Sequence, residues 1–214
     1  MNREERKLRE ELMRKKDIIE AAKKLFAEKG YSFTTMDEIA KESAFSKATV
    51  YHYFQSKGEI FTEIIINEHQ KFMEKVKSIA NSNQESEEKL KKIIHYWLET
   101  YDQNRNFLSI FFNPEEREKI QREIGKNFIS IMKEKRYEYR RLVGKIFSEG
   151  IKKGKFKKFE VNDLVTALNG VIHAYAVRKI LEKDRTDLRE KTETIYQIFL
   201  TGILSKEEKS EKNK

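Results

Sequence analysis

The chain has 214 residues, enough for one or two domains with a sizeable core, and 45 lysines and arginines against 36 aspartates and glutamates give it a formal charge of +9. Without cysteine it can form neither disulfides nor thiolate metal sites. No apolar run approaches the ~18 residues of a membrane span, and the charged N-terminus lacks a signal-peptide core, so a cytoplasmic protein is expected. One proline and eight glycines are few for this length, and with lysine and glutamate abundant an all-α fold is predicted.

Residues 3–29 read as one helix, with Ile18, Ile19, Ala22, Leu25 and Phe26 at three- and four-residue spacing and Gly30 as its stop. Its first half is almost wholly charged. Thr35-Met36-Asp37-Glu38 is a capping box that opens a short helix with Ile39 and Ala40 inward, ending near Ser43. Ser46 caps the next short helix. Ser56-Lys57-Gly58-Glu59 is a second capping box, opening a long helix that fades at Asn81-Ser82-Asn83. After residue 86, Leu90, Ile93, Ile94, Trp97, Leu98 and Tyr101 form a stripe. Residues 107–112 are too densely apolar for a one-sided helix and are expected to be buried. Pro114 starts one or two long helices over 115–153, with a break near Gly125. Helices over 161–183 and 187–204 follow, and a charged tail begins at Ser205. The expected division is a head over 1–61 with a helical N-terminal extension, a body over 62–205 and a tail over 206–214.

Bulk charge does not locate a function. Residues 133–158 hold eleven lysines and arginines against three glutamates, whereas residues 1–57 are only mildly basic. The informative stretch is "SKATVYHYFQSKGEIF", residues 46–61. Two short helices joined by a tight turn, the second opened by a serine cap, make a helix-turn-helix, whose second helix lies in the major groove with its N-terminal residues nearest the bases. Ser46, Ala48 and Thr49 are small enough for close approach, and Lys47 can reach a guanine edge or a phosphate. Val50 and Phe54 anchor the helix to its own core. Tyr51, His52 and Tyr53 project towards phosphates, and Lys57 at a helix N-terminus suits another.

Residues 18–61 resemble the DNA-binding domain of the TetR family of bacterial regulators. Ala21-Ala22, Leu25-Phe26, Gly30, Thr35, Ile39-Ala40, Ser46, Thr49, Tyr51, Phe54 and Lys57 carry the resemblance. It implies a homodimer of all-helical subunits, each with a three-helix head for double-stranded operator DNA and a ligand-binding body, and it places Thr35 among the DNA contacts. One departure is Ala44, in a turn where the family usually has glycine. Either the turn keeps a positive φ, at a cost of about 1 kcal/mol, or it is reshaped.

The body has no motif of its own. Trp97, Tyr101, Phe107, Phe111, Phe128, Ile131, His173 and Tyr175 are the candidate lining of an effector cavity, being more aromatic and polar-tipped than a bundle core requires. A fatty acyl thioester fits both the aromatic lining and the basic run, which around "IFSEGIKKGKF" loosely resembles fatty-acid-responsive members of the family. An apolar drug-like compound is the alternative. A homodimer interface is expected on residues 161–204, from Leu164, Leu168, Val171, Ile172 and Tyr175 with Leu188, Ile195, Tyr196, Phe199, Leu200 and Ile203, where Ala167, Gly170 and Ala174 allow close approach. No phosphate loop, nucleophile elbow, triad or metal-ligand spacing is present, so neither an enzyme nor a cofactor or metal site is expected. The rival reading is a helical ligand-binding or scaffolding protein whose head no longer reads DNA.

Overall fold

The computed structural model describes residues 2–182 and 186–203, with the side chains of residues 126–129, 131, 132 and 203 outside that description. The expected side-chain roles of Phe128, Ile131 and Ile203, the last residues of both C-terminal helices (183 and 204) and the tail over 206–214 therefore fall beyond what is described. Every regular element among the described residues is helical: α1 (Arg3–Lys29), α2 (Met36–Glu42), α3 (Lys47–Tyr53), α4 (Lys57–Ala80), α5 (Ser86–Gln103), α6 (Arg105–Ser109), α7 (Pro114–Lys152), α8 (Val161–Leu181) and α9 (Thr192–Ile203). Single 3₁₀ turns over Ile110–Phe112 and Leu188–Lys191 precede α7 and α9. Gly125 leaves helical geometry inside α7 (φ 70°, ψ −165°), which is the break expected there.

Two compact units result. The first takes the chain up to Lys71 together with Asn104–Lys135, and the second takes Phe72–Gln103 with the chain from Arg136 onward. In the first unit, α1 contributes Ile18, Ala22, Leu25 and Phe26, α2 contributes Ile39 and Ala40, α3 contributes Val50, and Phe54 follows it. Phe61 of α4 sits at the centre, its ring 5.4 Å from Phe26, 5.0 Å from Tyr31 and 5.3 Å from Phe107. Phe107, Ile110 and Ile120 are buried in this same core, and Phe111 packs against it. Phe107 and Phe111 were expected to line an effector cavity. Both instead complete the head, because Phe61 offers them an aromatic surface that α1–α3 alone leave open.

The core of the second unit draws Phe72, Val76 and Ile79 from α4, Leu90, Ile94 and Leu98 from α5, Val143, Ile146 and Phe147 from α7, and Leu164, Leu168 and Ile172 from α8. Leu188, Ile195, Phe199 and Leu200 join it. These last seven residues from α8 onward were expected at a homodimer interface, but they bury against their own subunit. What α8 and α9 leave exposed is the small face of Ala167, Gly170 and Ala174, with Leu181 and Ile198.

Ala44 resolves the question raised by its missing glycine. Its φ is +58°, so the turn keeps the left-handed geometry. Ala44 N–H donates to the carbonyl of Lys41 (3.2 Å) and Phe45 N–H to that of Ala40 (3.0 Å), the paired bonds of a Schellman end to α2. Ala44→Gly should therefore stabilise the head. The relief of left-handed strain, about 1–2 kcal/mol, outweighs the entropy that glycine adds to the unfolded chain, about 0.4–1 kcal/mol. A net gain near 0.5–1 kcal/mol would raise the urea midpoint, and an unchanged or lower midpoint would refute the strain.

Candidate DNA-reading surface and effector site

The serine cap forms as the sequence suggests. Ser46 Oγ accepts from Thr49 N–H at 3.1 Å and lies 2.8 Å from Thr49 Oγ1. Ser46, Lys47 and Ala48 are exposed and Thr49 is half-buried, while Val50 beneath them is fully buried. One turn of small side chains thus stands clear of the protein on a helix pinned from below. Tyr51 and His52 are exposed, and the half-buried Tyr53 makes an edge contact with the His52 ring at 5.1 Å. Thr35 caps α2: its hydroxyl accepts from Glu38 N–H at 3.2 Å while the Glu38 carboxylate accepts from Thr35 N–H at 3.0 Å. An exposed neighbour that the sequence did not single out is Phe33, 76% exposed in the α1–α2 turn.

Lys47 is held at the surface by Asp37, 2.7 Å away on α2, and the carboxylate raises the ammonium's pKa through hydrogen bonding and charge. A nucleic-acid acceptor would have to displace Asp37 to reach it.

Lys57 is placed differently from the expectation of a phosphate contact. Its ammonium turns inward, donating to the carbonyls of Tyr31 (2.8 Å), Thr34 (3.0 Å) and Ser32 (3.4 Å), and lies 4.5 Å from the centre of the Tyr31 ring. An ammonium has three donors, and all three are engaged. Burial lowers its pKa, with Glu123 opposing the shift, Lys119 adding to it and Glu116 opposing.

The same turn is gripped from α7. Ser32 N–H donates to Glu116 Oε2 at 2.9 Å, Tyr31 Oη donates to Glu123 Oε2 at 2.5 Å, and Lys119 Nζ reaches Ser32 O at 3.4 Å. Glu116 is buried, and a Cβ on Gly30 would come within 2.9 Å of its Oε1; Gly30 also has φ +88°. Glycine there answers both a close approach and a left-handed backbone. Burial, then the bond to Glu123, pushes the Tyr31 hydroxyl well above the ordinary tyrosine range, so it stays a neutral donor. No local pattern in the sequence announces this clamp, whose partners lie 84 to 92 residues apart.

In the second unit, three of the residues expected around an effector, Trp97, Tyr101 and His173, gather in an aromatic patch, and a fourth, Tyr175, packs against the same core. Trp97 and Tyr101 stack with ring centres 5.5 Å apart, and Phe72 lies 4.4 Å from Trp97. Tyr101 Oη is 3.1 Å from His173 Nδ1. Tyr175, half-buried against the same core, has the Arg178 guanidinium 5.7 Å above its ring. Two residues with no distinguishing signal in the sequence, Tyr139 and Asn169, complete the group: Trp97 Nε1 donates to Tyr139 Oη at 2.7 Å, and Tyr139 Oη donates to Asn169 Oδ1 at 2.9 Å. Burial raises the Tyr139 pKa and pushes that of Tyr101 up to about 12. The result is a cluster of aromatic rings with a few fixed polar groups. Among the described residues no group of His, Cys, Asp or Glu is arranged to hold a metal ion, and no helix is long and apolar enough to cross a membrane.

A serine-capped helix on a left-handed turn, in a chain that also carries an all-helical body with a cluster of aromatic rings, defines a ligand-responsive, DNA-binding transcriptional regulator. Comparison with known proteins gives the family. The profile of bacterial regulatory proteins of the tetR family matches residues 18–64, and that of the YsiA-like protein C-terminal region matches residues 66–202. The chain belongs to the TetR family, whose members bind operator DNA as dimers. It is 26% identical over 196 residues to the fatty acid metabolism regulator protein of Bacillus subtilis, covering 88% of this chain and 95% of that one. It is 45% identical over 51 residues to IcaR of Staphylococcus aureus, a negative regulator of the biofilm operon icaADBC, covering 24% and 27% of the two chains. The fold resembles that of FadR from Bacillus subtilis in complex with stearoyl-CoA, with a TM-score of 0.73 and 21% identity over 87% of this chain and 98% of that one.

Proposed function

We propose that the protein is a cytoplasmic repressor whose dimer leaves its operator when the body binds a long-chain fatty acyl thioester. The likeness to a fatty acid metabolism regulator along nearly the whole chain carries this reading. The aromatic patch around Trp97, Tyr101 and His173 supports it, since rings and a few fixed polar groups suit an apolar chain with a polar end. In this reading Ser46, Lys47, Ala48 and Thr49 meet base edges, while Thr35, Tyr51, His52 and Tyr53 meet phosphates on either side. The exposed face of Ala167, Gly170 and Ala174 brings α8 against its copy in the dimer. Binding two half-sites needs a fixed distance between heads, so a ligand preferring the non-binding state by a few kcal/mol suffices, and by linkage DNA weakens the ligand equally.

Titrating stearoyl-CoA into the complex with the DNA upstream of the protein's own gene tests the effector: release is expected. An intact complex that an uncharged aromatic compound dissociates would make the body a drug-type site. Lys47→Ala and Thr49→Ala should each lose about 1–3 kcal/mol on the preferred sequence and relax base preference. Equal losses on every sequence would reassign both residues to the backbone.

A further inference from the structure

Helix α5 has two faces of opposite character. Leu90, Ile93, Ile94 and Leu98 are buried, while Glu88, Lys91, Lys92, His95, Tyr96 and Glu99 follow the same helical spacing on the other side. That polar face lines a groove of about 580 Å³, bounded by the last turns of α4 through Lys75 and by Thr192 at the start of α9. Two of its charges are committed to neighbours: Lys91 to Glu193 at 2.7 Å and Glu99 to Arg189 at 3.9 Å. His95 Nδ1 is fixed 3.2 Å from Thr192 Oγ1. Lys75 and Lys92 are exposed and make no ion pair among the described residues. Glu88 is the carboxylate that opposes them.

The inner wall of the groove is Tyr96. Its ring stacks on Phe72 (5.3 Å between centres, 11° between planes), and Phe72 in turn touches Trp97. A single pair of rings therefore separates a cationic groove from the aromatic patch. In the basic run over 133–158, four of the eleven cations already have partners: Lys145 and Lys153 pair with Glu149 and Glu85, Lys157 donates to Gly202 O, and Arg140 to Thr166 Oγ1.

We propose that the groove between α4, α5 and the start of α9 is the subsite for the phosphate-bearing head of the effector. Lys75 and Lys92 bind the phosphates, the Lys91–Glu193 pair and His95 frame them, and the acyl chain runs past Tyr96 and Phe72 towards Trp97. The proposal rests on the acyl-thioester reading above. It assigns the effector's head to a different surface from the basic run over 133–158.

The test uses the full-length dimer and compares stearoyl-CoA, stearate and 3′,5′-ADP by calorimetry. For the double variant Lys75→Ala/Lys92→Ala, stearoyl-CoA affinity is expected to fall about tenfold, as loss of charge-assisted phosphate contacts implies. Stearate affinity and effector-free operator binding are expected to stay unchanged. Glu88→Gln should tighten stearoyl-CoA binding severalfold, a gain that a purely structural groove would not give. A wild type that binds stearoyl-CoA and a double variant that binds it equally well would overturn the subsite alone. A wild type that binds stearate and not stearoyl-CoA would overturn the effector reading and the subsite together. If 3′,5′-ADP binds the groove without competing with stearoyl-CoA, the groove serves a free phosphate ligand and the headgroup assignment is wrong.

Discussion

Lys57→Ala should cost the head about 2–4 kcal/mol and abolish operator binding near the growth temperature by loosening the α1–α2 turn. The ammonium donates to three carbonyls and rests on the Tyr31 ring, and hydrogen bonds involving a charged group contribute about 1.5–3 kcal/mol apiece in net terms. The upper end of a simple sum is not reached, because burying the ammonium carries its own penalty, visible in its lowered pKa. A urea melt of the variant checks the stability. The salt dependence of operator binding, measured where the variant is still folded, checks the role. An unchanged slope is expected, and a slope reduced by about one ion per half-site would return Lys57 to the phosphate backbone.

Tyr139→Phe should have the largest effect in the body, about 2–3 kcal/mol. The phenol accepts from Trp97 and donates to Asn169, so the substitution strands a donor and an acceptor with one deletion. Each unpaired buried group costs about 1–3 kcal/mol, and the partial exposure of Trp97 and Asn169 trims that sum. Trp97 is the single tryptophan of the chain, so its emission reports the change directly. A red-shifted spectrum and a lower thermal midpoint are expected. A variant as stable as the wild type would mean that water satisfies both groups at no cost.

The helices and their starts were legible because their determinants are local. The Thr35 box, the Ser46 cap, Gly30 and the kink at Gly125 all appear where side-chain chemistry within a few residues dictates them. The second capping box was only half right. Ser56 Oγ does accept from Glu59 N–H, but the Glu59 carboxylate turns to Gln55 N–H at 2.7 Å. What the sequence concealed was partner choice at long range. An apolar stripe specifies burial, not against whom, so Phe107 and Phe111 were assigned to the wrong unit and Leu164, Leu168 and Ile172 to another subunit. Lys57 shows the same limit: its position at a helix start suggests an anion, and only folding brings three carbonyls from the α1–α2 turn around it.

The clamp on the α1–α2 turn also bears on how such regulators could be recombined. Glu116, Lys119, Ile120 and Glu123 belong to the head by packing and to the body by chain order. A chimera joined after residue 61 would import a foreign α7 and lose four partners of Tyr31, Ser32 and Phe61's core at once. Exchange of operator specificity in this lineage must therefore either carry residues 105–124 along with the head or be confined to the exposed turn of α3, where Lys47 and Ala48 stand clear of the core while Ser46 must keep its cap on Thr49 N–H.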